Sequence, residues 1–545
     1  MESTETDLTT KLLGEAHPSA DPLFIGDIDA TTTKAADEPI AIQIDNQDAD
    51  DDDGDNKKTS PELPDLILDP QEVFEGQDYT RGERQRGCRD VPFALAWYLQ
   101  LTAIVVLAVK WGIPSLAATH HHHHDDQHDS TDDETYSYAG LIYFTLISGA
   151  SSILLSGLTM AIFTKFGHHL IQLSLLFSVF ASLAMAVLAL IAGNLVLALL
   201  SIVGFLVGCC YYFAVSDRIP FAAANLNAGV SAIKSNGGVV LIALLCVLLA
   251  FVFTAIWTLA LIGIADKTTS CPDNDSDCNG NMSEGAVFVM LVSLFWSQQV
   301  ISNVVHATVA GTVGTWWFAQ EEASSFCSSA VTDSFVRSTT SSFGSICFGS
   351  LLTAVIKALR QIVQSARNDD RRNDNGILLC LAECILGCLE GIIQYFNKYA
   401  FIYCGLYGYD YLSAGRNVMN LFNARGWTLI INDDMVQNCL SLSFLILSCL
   451  SGCAGMLIST IQGGSWLDAL SASDDDGPNL SAAFLIAFTL GLIIASILMG
   501  VIDSAVSTAI VCFAESPSDL HRNHPDLYEE MVGAWRKVYP NDCGF

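Results

Sequence analysis

Residues 170–216 read LIQLSLLFSVFASLAMAVLALIAGNLVLALLSIVGFLVGCCYYFAVS, without a single Asp, Glu, Lys or Arg. A helix that crosses a bilayer needs roughly 20 apolar residues, so this run is long enough for two, divided near Gly193-Asn194. Further charge-free runs cover 139–164, 235–265, 285–320 and 435–467. Only 15% of the 545 residues are charged and 51% are hydrophobic, against about 25% charged residues in soluble domains. The fold class predicted is an all-α polytopic membrane protein of about ten transmembrane helices.

Charge is unevenly placed along the chain. The net charge is −33, and residues 1–80 hold 22 acidic against 4 basic side chains, a balance of −18. That segment, which includes DADDDDGDNKK, lacks apolar periodicity and is expected to be a disordered, solvating tail. It has no apolar stretch near its start of the kind a cleaved signal peptide needs, so the first span is the expected targeting signal. Three parts follow: an acidic N-terminal tail over 1–88, a ten-helix domain over 89–513 and a C-terminal tail over 514–545.

Spans are expected near 92–117, 139–163, 169–192, 195–214, 238–264, 286–318, 343–364, 378–403, 436–461 and 481–512. Basic residues cluster before the first span (Arg81, Arg84, Arg86, Arg89), while the loops 118–138, 266–285 and 462–480 hold only Lys267. The positive-inside rule then makes both termini cytoplasmic. One connection conflicts with this: 365–377 carries Arg367, Arg371 and Arg372 yet falls outside by parity. Either the flanking segments span despite the bias, or they are re-entrant or lie flat on the cytoplasmic face. Two of the 17 cysteines, Cys271 and Cys278, fall in an assigned external loop and are expected to form a disulfide. The same loop offers glycosylation sequons at Asn274 and Asn281. Cys380, Cys384 and Cys388 repeat every four residues, a pattern that reads first as helix packing and second as palmitoylation.

No catalytic signature is visible: no phosphate-binding GxxxxGK, no HExxH and no Ser-His-Asp grouping. An enzyme is not expected, nor a cofactor, a resident metal or a nucleic-acid partner. The His120–His124 run is the one metal-like cluster. It reads as a low-complexity polar loop with at most incidental metal binding. Attention moves to polar groups inside apolar helices, which are costly unless they face a cavity or each other. In WSQQVISNVVHATVAGTVGTWWF (296–318), a helix turns about 100° per residue. On that turn Trp296, Gln299, Asn303, His306 and Trp317 share one sector, about 80° wide, whereas Gln298 and Trp316 leave that face. The stripe reads equally as interhelical glue or as the wall of a pathway. The whole span expected over 286–318, roughly 50 Å as a helix, is expected to break at Gly311 and Gly314, as transporter helices do at mid-membrane sites. Its tryptophans suit an organic cation by cation–π attraction. Tyr211 and Trp257 are further aromatic candidates, with the interfacial belt as the plainer reading. Glu383 and Glu390 share one helix face and are open to pairing inside the protein or to facing the cytoplasm, and Asp503, expected near the inner leaflet, to a buried pairing or a proton or cation relay.

The same stretch, followed by SFVRSTTSSFGSICFGSLLTAVIKALRQIV, NKYAFIYCGLYGYDYLSAGRNVMNLF and DSAVSTAIVCFAESP, resembles the choline transporter-like solute carriers, nearer the fungal and protist-type members. The likeness covers roughly 90–545 and is densest over 296–427, and SFGSICFGSL is specific to that family. The resemblance implies ten spans, cytoplasmic termini and transport of choline or a related amine at the plasma membrane. Animal members carry a long glycosylated loop after the first span, where this chain has about twenty residues rich in His and Asp. The expected function is thus transport of choline or a related organic cation, by facilitated diffusion or proton-coupled exchange. Trp296, Gln299, Asn303, His306, Trp317, Tyr211 and Trp257 are the expected substrate-binding residues, and His306, Asp503 and Glu383 the expected coupling residues. The competing reading is a non-transporting scaffold whose cytoplasmic tails meet trafficking partners.

Overall fold

The computed structural model describes residues 87–115, 138–269, 284–326, 328–369, 376–424, 435–462 and 480–538. The acidic tail, the histidine loop, the Cys271/Cys278 pair and both sequons lie outside the described residues. All the described residues belong to one unit, Leu66–Phe545.

The charge-free runs become helices, because lipid offers no partner for backbone N–H and C=O groups and a helix satisfies them internally. In chain order these are α1 (Val91–Leu107), α2 (Tyr138–Ile191), α3 (Leu195–Val215), α4 (Ile219–Ser235) and α5 (Gly238–Thr269). Next come α6 (Glu284–Phe318), α7 (Ser329–Thr339), α8 (Phe343–Asp369), α9 (Gly376–Tyr407) and α10 (Tyr411–Ala424). The last are α11 (Met435–Ile461), α12 (Leu480–Glu515), α13 (Pro517–Asn523) and α14 (Pro525–Val538). Among the described residues nine helices are long and apolar enough to span a bilayer, and Tyr143–Thr159 is a shorter apolar helix. The chain is a multi-pass membrane protein.

The opening run divides where its sequence says it should. Gly193 takes φ +73, a left-handed conformation that suits glycine. Asn194 then caps α3, its Oδ1 accepting from the Leu197 amide at 3.1 Å. On α3, Val196 and Phe213 are 78% and 75% exposed, side chains that only lipid can cover. The span expected from 139 and the next one form α2, which bends at Phe166 (φ −126, ψ 16).

Glycines set the closest crossings. A Cβ on Gly263 of α5 would collide with the Gly112 backbone nitrogen, and one on Gly112 would collide with the Leu259 carbonyl oxygen. Small residues let α1 and α5 touch through their backbones, and α1 widens into a π-turn at Ala108–Gly112. The SFGSICFGSL motif fixes the start of α1. Asp90, held at φ +51, accepts from Ser345 Oγ at 2.7 Å and from the Tyr411 amide at 3.1 Å. Gly344 leaves no room for a side chain, because a Cβ there would overlap the Arg89 carbonyl oxygen.

Two expectations need correction. The helix at 296–318 does not break: α6 runs unbroken from Glu284 to Phe318. Gly311 instead admits α7, since a Cβ there would meet Ser334 Oγ and an Arg337 nitrogen, each at 2.7 Å. The Cys380/Cys384/Cys388 face, expected to pack, is exposed along α9. Glu383 and Glu390 on that helix pair with Arg367 (2.5 Å) and Arg360 (2.7 Å) of α8, lacing together the two helices whose connection breaks the charge rule.

Residues 517–538, expected as part of a tail, fold back on the bundle as α13 and α14. Trp535 is fully buried and its Nε1 donates to Asn225 Oδ1 of α4 at 3.1 Å. At the end of α6, Trp317 Nε1 donates to the Ser516 carbonyl (3.1 Å) and the Trp317 carbonyl accepts from Asn523 Nδ2 (2.7 Å). The His524 ring stacks on Trp316 at 4.0 Å. The Trp-Trp pair is therefore the anchor of the C-terminal segment.

The close crossing predicts that Gly263→Ala lowers the apparent melting temperature in detergent, by overpacking worth about 1–3 kcal/mol. Gly157→Ala, which would meet nothing within 4 Å, should leave it unchanged or raise it, the helical gain being about 1 kcal/mol. Burial lowers the His524 pKa from its ordinary 6.5, with the bond to the Trp316 carbonyl opposing in part. The docked form thus favours neutral histidine: docking is complete above that value and weakens as pH falls below it. Cleavage after Glu529 or Glu530 by a glutamate-specific protease should accelerate from pH 7 to pH 5, and His524→Phe should flatten that rise.

Candidate functional site

Halfway along α6 and α12 the bundle opens into a cavity of about 450 Å³, within the range of small-molecule sites. α6 contributes Gln298, Gln299, Ser302, Asn303 and His306; α12 contributes Gly500, Asp503 and Ser504. Thr353 of α8 and Gln394, Asn397 and Lys398 of α9 line it, and the remaining wall includes Ala243, Cys246 and Ala250 of α5. Among the described residues no Trp, Tyr or Phe lines it, Asp503 is the only lining carboxylate and Lys398 the only lining lysine or arginine.

These two meet: Lys398 Nζ lies 3.1 Å from Asp503 Oδ1, with about a third and a quarter of each side chain exposed. A charge at this depth is costly unless paired or hydrated, and here it is both paired and reachable. His306 joins three helices. Its Nδ1 lies 2.7 Å from Ser504 Oγ on α12, and its Nε2 lies 2.7 Å from the Lys398 carbonyl on α9. A carbonyl only accepts, so Nε2 carries the proton of that bond. Ser504 Oγ also reaches the Gly500 carbonyl at 2.9 Å. With its hydroxyl proton directed at Nδ1 the imidazole is neutral; directed at Gly500, it leaves Nδ1 free to donate as imidazolium. The frame holds either protonation state without moving a heavy atom.

Around them the polar groups divide into committed and free. Asn397 donates to Gly349 O (3.0 Å) and Thr353 Oγ1 (2.8 Å), and its Oδ1 accepts from the Tyr411 hydroxyl. Gln298 donates to Thr254 Oγ1 at 2.7 Å and Gln394 to Glu390 at 3.0 Å. Asn303 donates to Ser350 Oγ at 2.9 Å, leaving its Oδ1 without a protein partner among the described residues. Gln299 lines the cavity with no protein hydrogen bond among them. Ser302 is exposed although it sits at mid-helix.

The structure thus brings together Gln299, Asn303, His306 and Asp503 of the expected residues and separates the rest. Trp296 is 6% exposed and ties α6 to α8, Nε1 donating to the Cys347 carbonyl at 2.9 Å. Trp317 shares a face with His306 but lies eleven residues on, roughly 16 Å along the axis. Trp257 donates to the Met290 carbonyl at 3.1 Å, buried between α5 and α6. Tyr211 is exposed on α3, and Glu383 belongs to the α8–α9 ion pair. The wetted face is centred near Ser302, about 120° from Trp296 by helical geometry, which is why Gln298 enters the lining. Lys398 escaped the sequence reading. Its signal was a lone cation in the apolar run YFNKYAFIY, since an ionisable residue inside a span marks a functional candidate.

Protein PNS1 of Gibberella zeae is 31% identical over 344 residues, 62% of each chain, so the match spans less than two thirds of that protein. Protein PNS1 of Cryptococcus neoformans is 28% identical over 472 residues, 84% of each chain. Protein PNS1 of Mycosarcoma maydis is 28% identical over 400 residues, 72% of this chain and 73% of that one. The family model described as plasma-membrane choline transporter matches residues 197–518, which takes in α4 to α12, every wall of the cavity and the Trp316-Trp317 anchor. With more than half of its length inside that match, the chain belongs to the plasma-membrane choline transporter family.

Proposed function

We propose that the protein carries choline or a related small organic cation across the plasma membrane by alternating access around the mid-depth cavity, with both termini cytoplasmic. The observation that carries this reading is Asp503: the one lining carboxylate among the described residues, reachable from the cavity and two thirds of the way along α12. A quaternary ammonium has no N–H to donate, so it is recognised by charge and by oxygen atoms packed around its methyl groups. In a lining without aromatic faces, Asp503 supplies the charge, in place of the cation–π contact expected from tryptophan. The unpartnered Gln299 amide and Asn303 Oδ1 are acceptors for the hydroxyl of choline. His306 holds α6, α9 and α12 in register and offers a site for a coupled proton. Trp296 and Trp317 act as ties between helices and not as cargo contacts.

Charge-assisted contacts are worth about 1.5–3 kcal/mol, or roughly tenfold or more in affinity. In liposomes holding the purified full-length chain, Asp503→Asn should raise the half-saturating concentration for labelled choline uptake at least about tenfold. Trp296→Phe should change uptake less than about threefold. Absence of uptake above protein-free liposomes would end this reading. The uncharged isostere of choline, with carbon in place of nitrogen, should compete at least about tenfold less well than choline; equal competition would remove Asp503 as the anchor.

A further inference from the structure

The cavity contains its own cation. Lys398 Nζ sits on Asp503 at 3.1 Å, on the one lining group of opposite charge. Resting on the transport reading above, we propose that Lys398 is a tethered stand-in for the cargo. It occupies Asp503 while the cavity is empty and gives the carboxylate up when a substrate ammonium arrives.

Three features of the site support the exchange. The first is charge balance. Among the described residues Lys398 and Asp503 are the only formally charged side chains in the lining, so the empty cavity is neutral with the lysine in place. A cargo cation that takes Asp503 brings one positive charge, and the loaded cavity then carries the charge of its cargo alone. The second is freedom to move. The Lys398 side chain is 32% exposed and that of Asp503 26%, and an ammonium on a four-carbon stem can swing where a planar guanidinium is held. Once released, the ammonium can turn to the solvent that already reaches about a third of its side chain. The third is that the lysine backbone stays put: its carbonyl is held by His306 Nε2 at 2.7 Å. Displacing the side chain therefore leaves the α6–α9 bridge intact.

The consequence concerns the return of the empty carrier. A bare carboxylate is expensive to enclose in a low-dielectric interior. A carrier without the lysine would have to reorient with Asp503 uncompensated. With the lysine it reorients as a neutral pair, so unidirectional net uptake becomes possible and not only exchange of one cargo ion for another.

The test uses the full-length chain in liposomes with labelled choline as probe. Net uptake into choline-free vesicles is measured beside counterflow into vesicles preloaded with choline. For Lys398→Met, net uptake should fall much more than counterflow, raising the counterflow-to-net ratio about tenfold or more. The half-saturating choline concentration in counterflow should fall, because no internal cation competes. Lys398→Arg restores the charge but is held more firmly on the carboxylate, so it should return the ratio towards that of the unmodified chain while raising the half-saturating concentration, and gel-filtration profiles report whether each variant is folded. A Lys398→Met chain that folds but loses net uptake and counterflow in equal proportion, or whose half-saturation rises, would overturn the stand-in while leaving Asp503 as the anchor. An unmodified chain that shows neither net uptake nor counterflow would overturn the transport reading and the stand-in with it.

Discussion

The His306 imidazole is the joint on which the centre of the bundle depends. Its two nitrogens lie 2.7 Å from Ser504 Oγ and 2.7 Å from the Lys398 carbonyl, so one ring holds α6, α12 and α9 at a single level. Inside a membrane no hydrophobic gain distinguishes helix contacts from lipid contacts, and packing and hydrogen bonds must hold the helices together. The ring supplies those bonds at the depth where the helices part to form the cavity. Lys398 and Asp503 flank it on the same two helices, which brings the ion pair within reach of the joint that spaces it.

Tryptophan plays a different part from the one its chemistry suggests. In a protein of this family an indole beside a cavity invites a cation–π interpretation. Yet Trp257, Trp296, Trp317 and Trp535 each give their N–H to a carbonyl or amide oxygen on another element. An indole buried in an apolar helix bundle carries one donor that cannot be left unmatched without penalty. Donation across helices satisfies that donor and fixes two elements in register, and it leaves recognition of a cation to charge and to oxygen atoms.

The fold was legible because its cause is local. Charge-free runs of sufficient length must be helical in lipid, and Gly193-Asn194 carries both a left-handed glycine and a capping side chain. Half of the site was legible for the same reason: Gln299, Asn303 and His306 share a helix face whatever surrounds it. The other half was not. Helical phase alone cannot say which direction on α6 faces the opening, so Ser302 and Gln298 were missed and Trp296 was counted among the binding residues. Gly311 was read as a point of weakness because a missing side chain looks alike in sequence whether it permits a bend or admits a neighbour.

By itself the sequence determined the long apolar helices, the membrane class and the candidate polar residues, since each depends on composition and spacing within one segment. The tertiary structure alone decided which of those residues meet. Lys398 and Asp503 are 105 positions apart, and His306 and Ser504 are 198 apart. Whether a polar group in lipid faces water, a partner or a neighbouring helix depends on how the helices are rotated about their axes. Packing between distant segments sets that rotation, and no single segment encodes it.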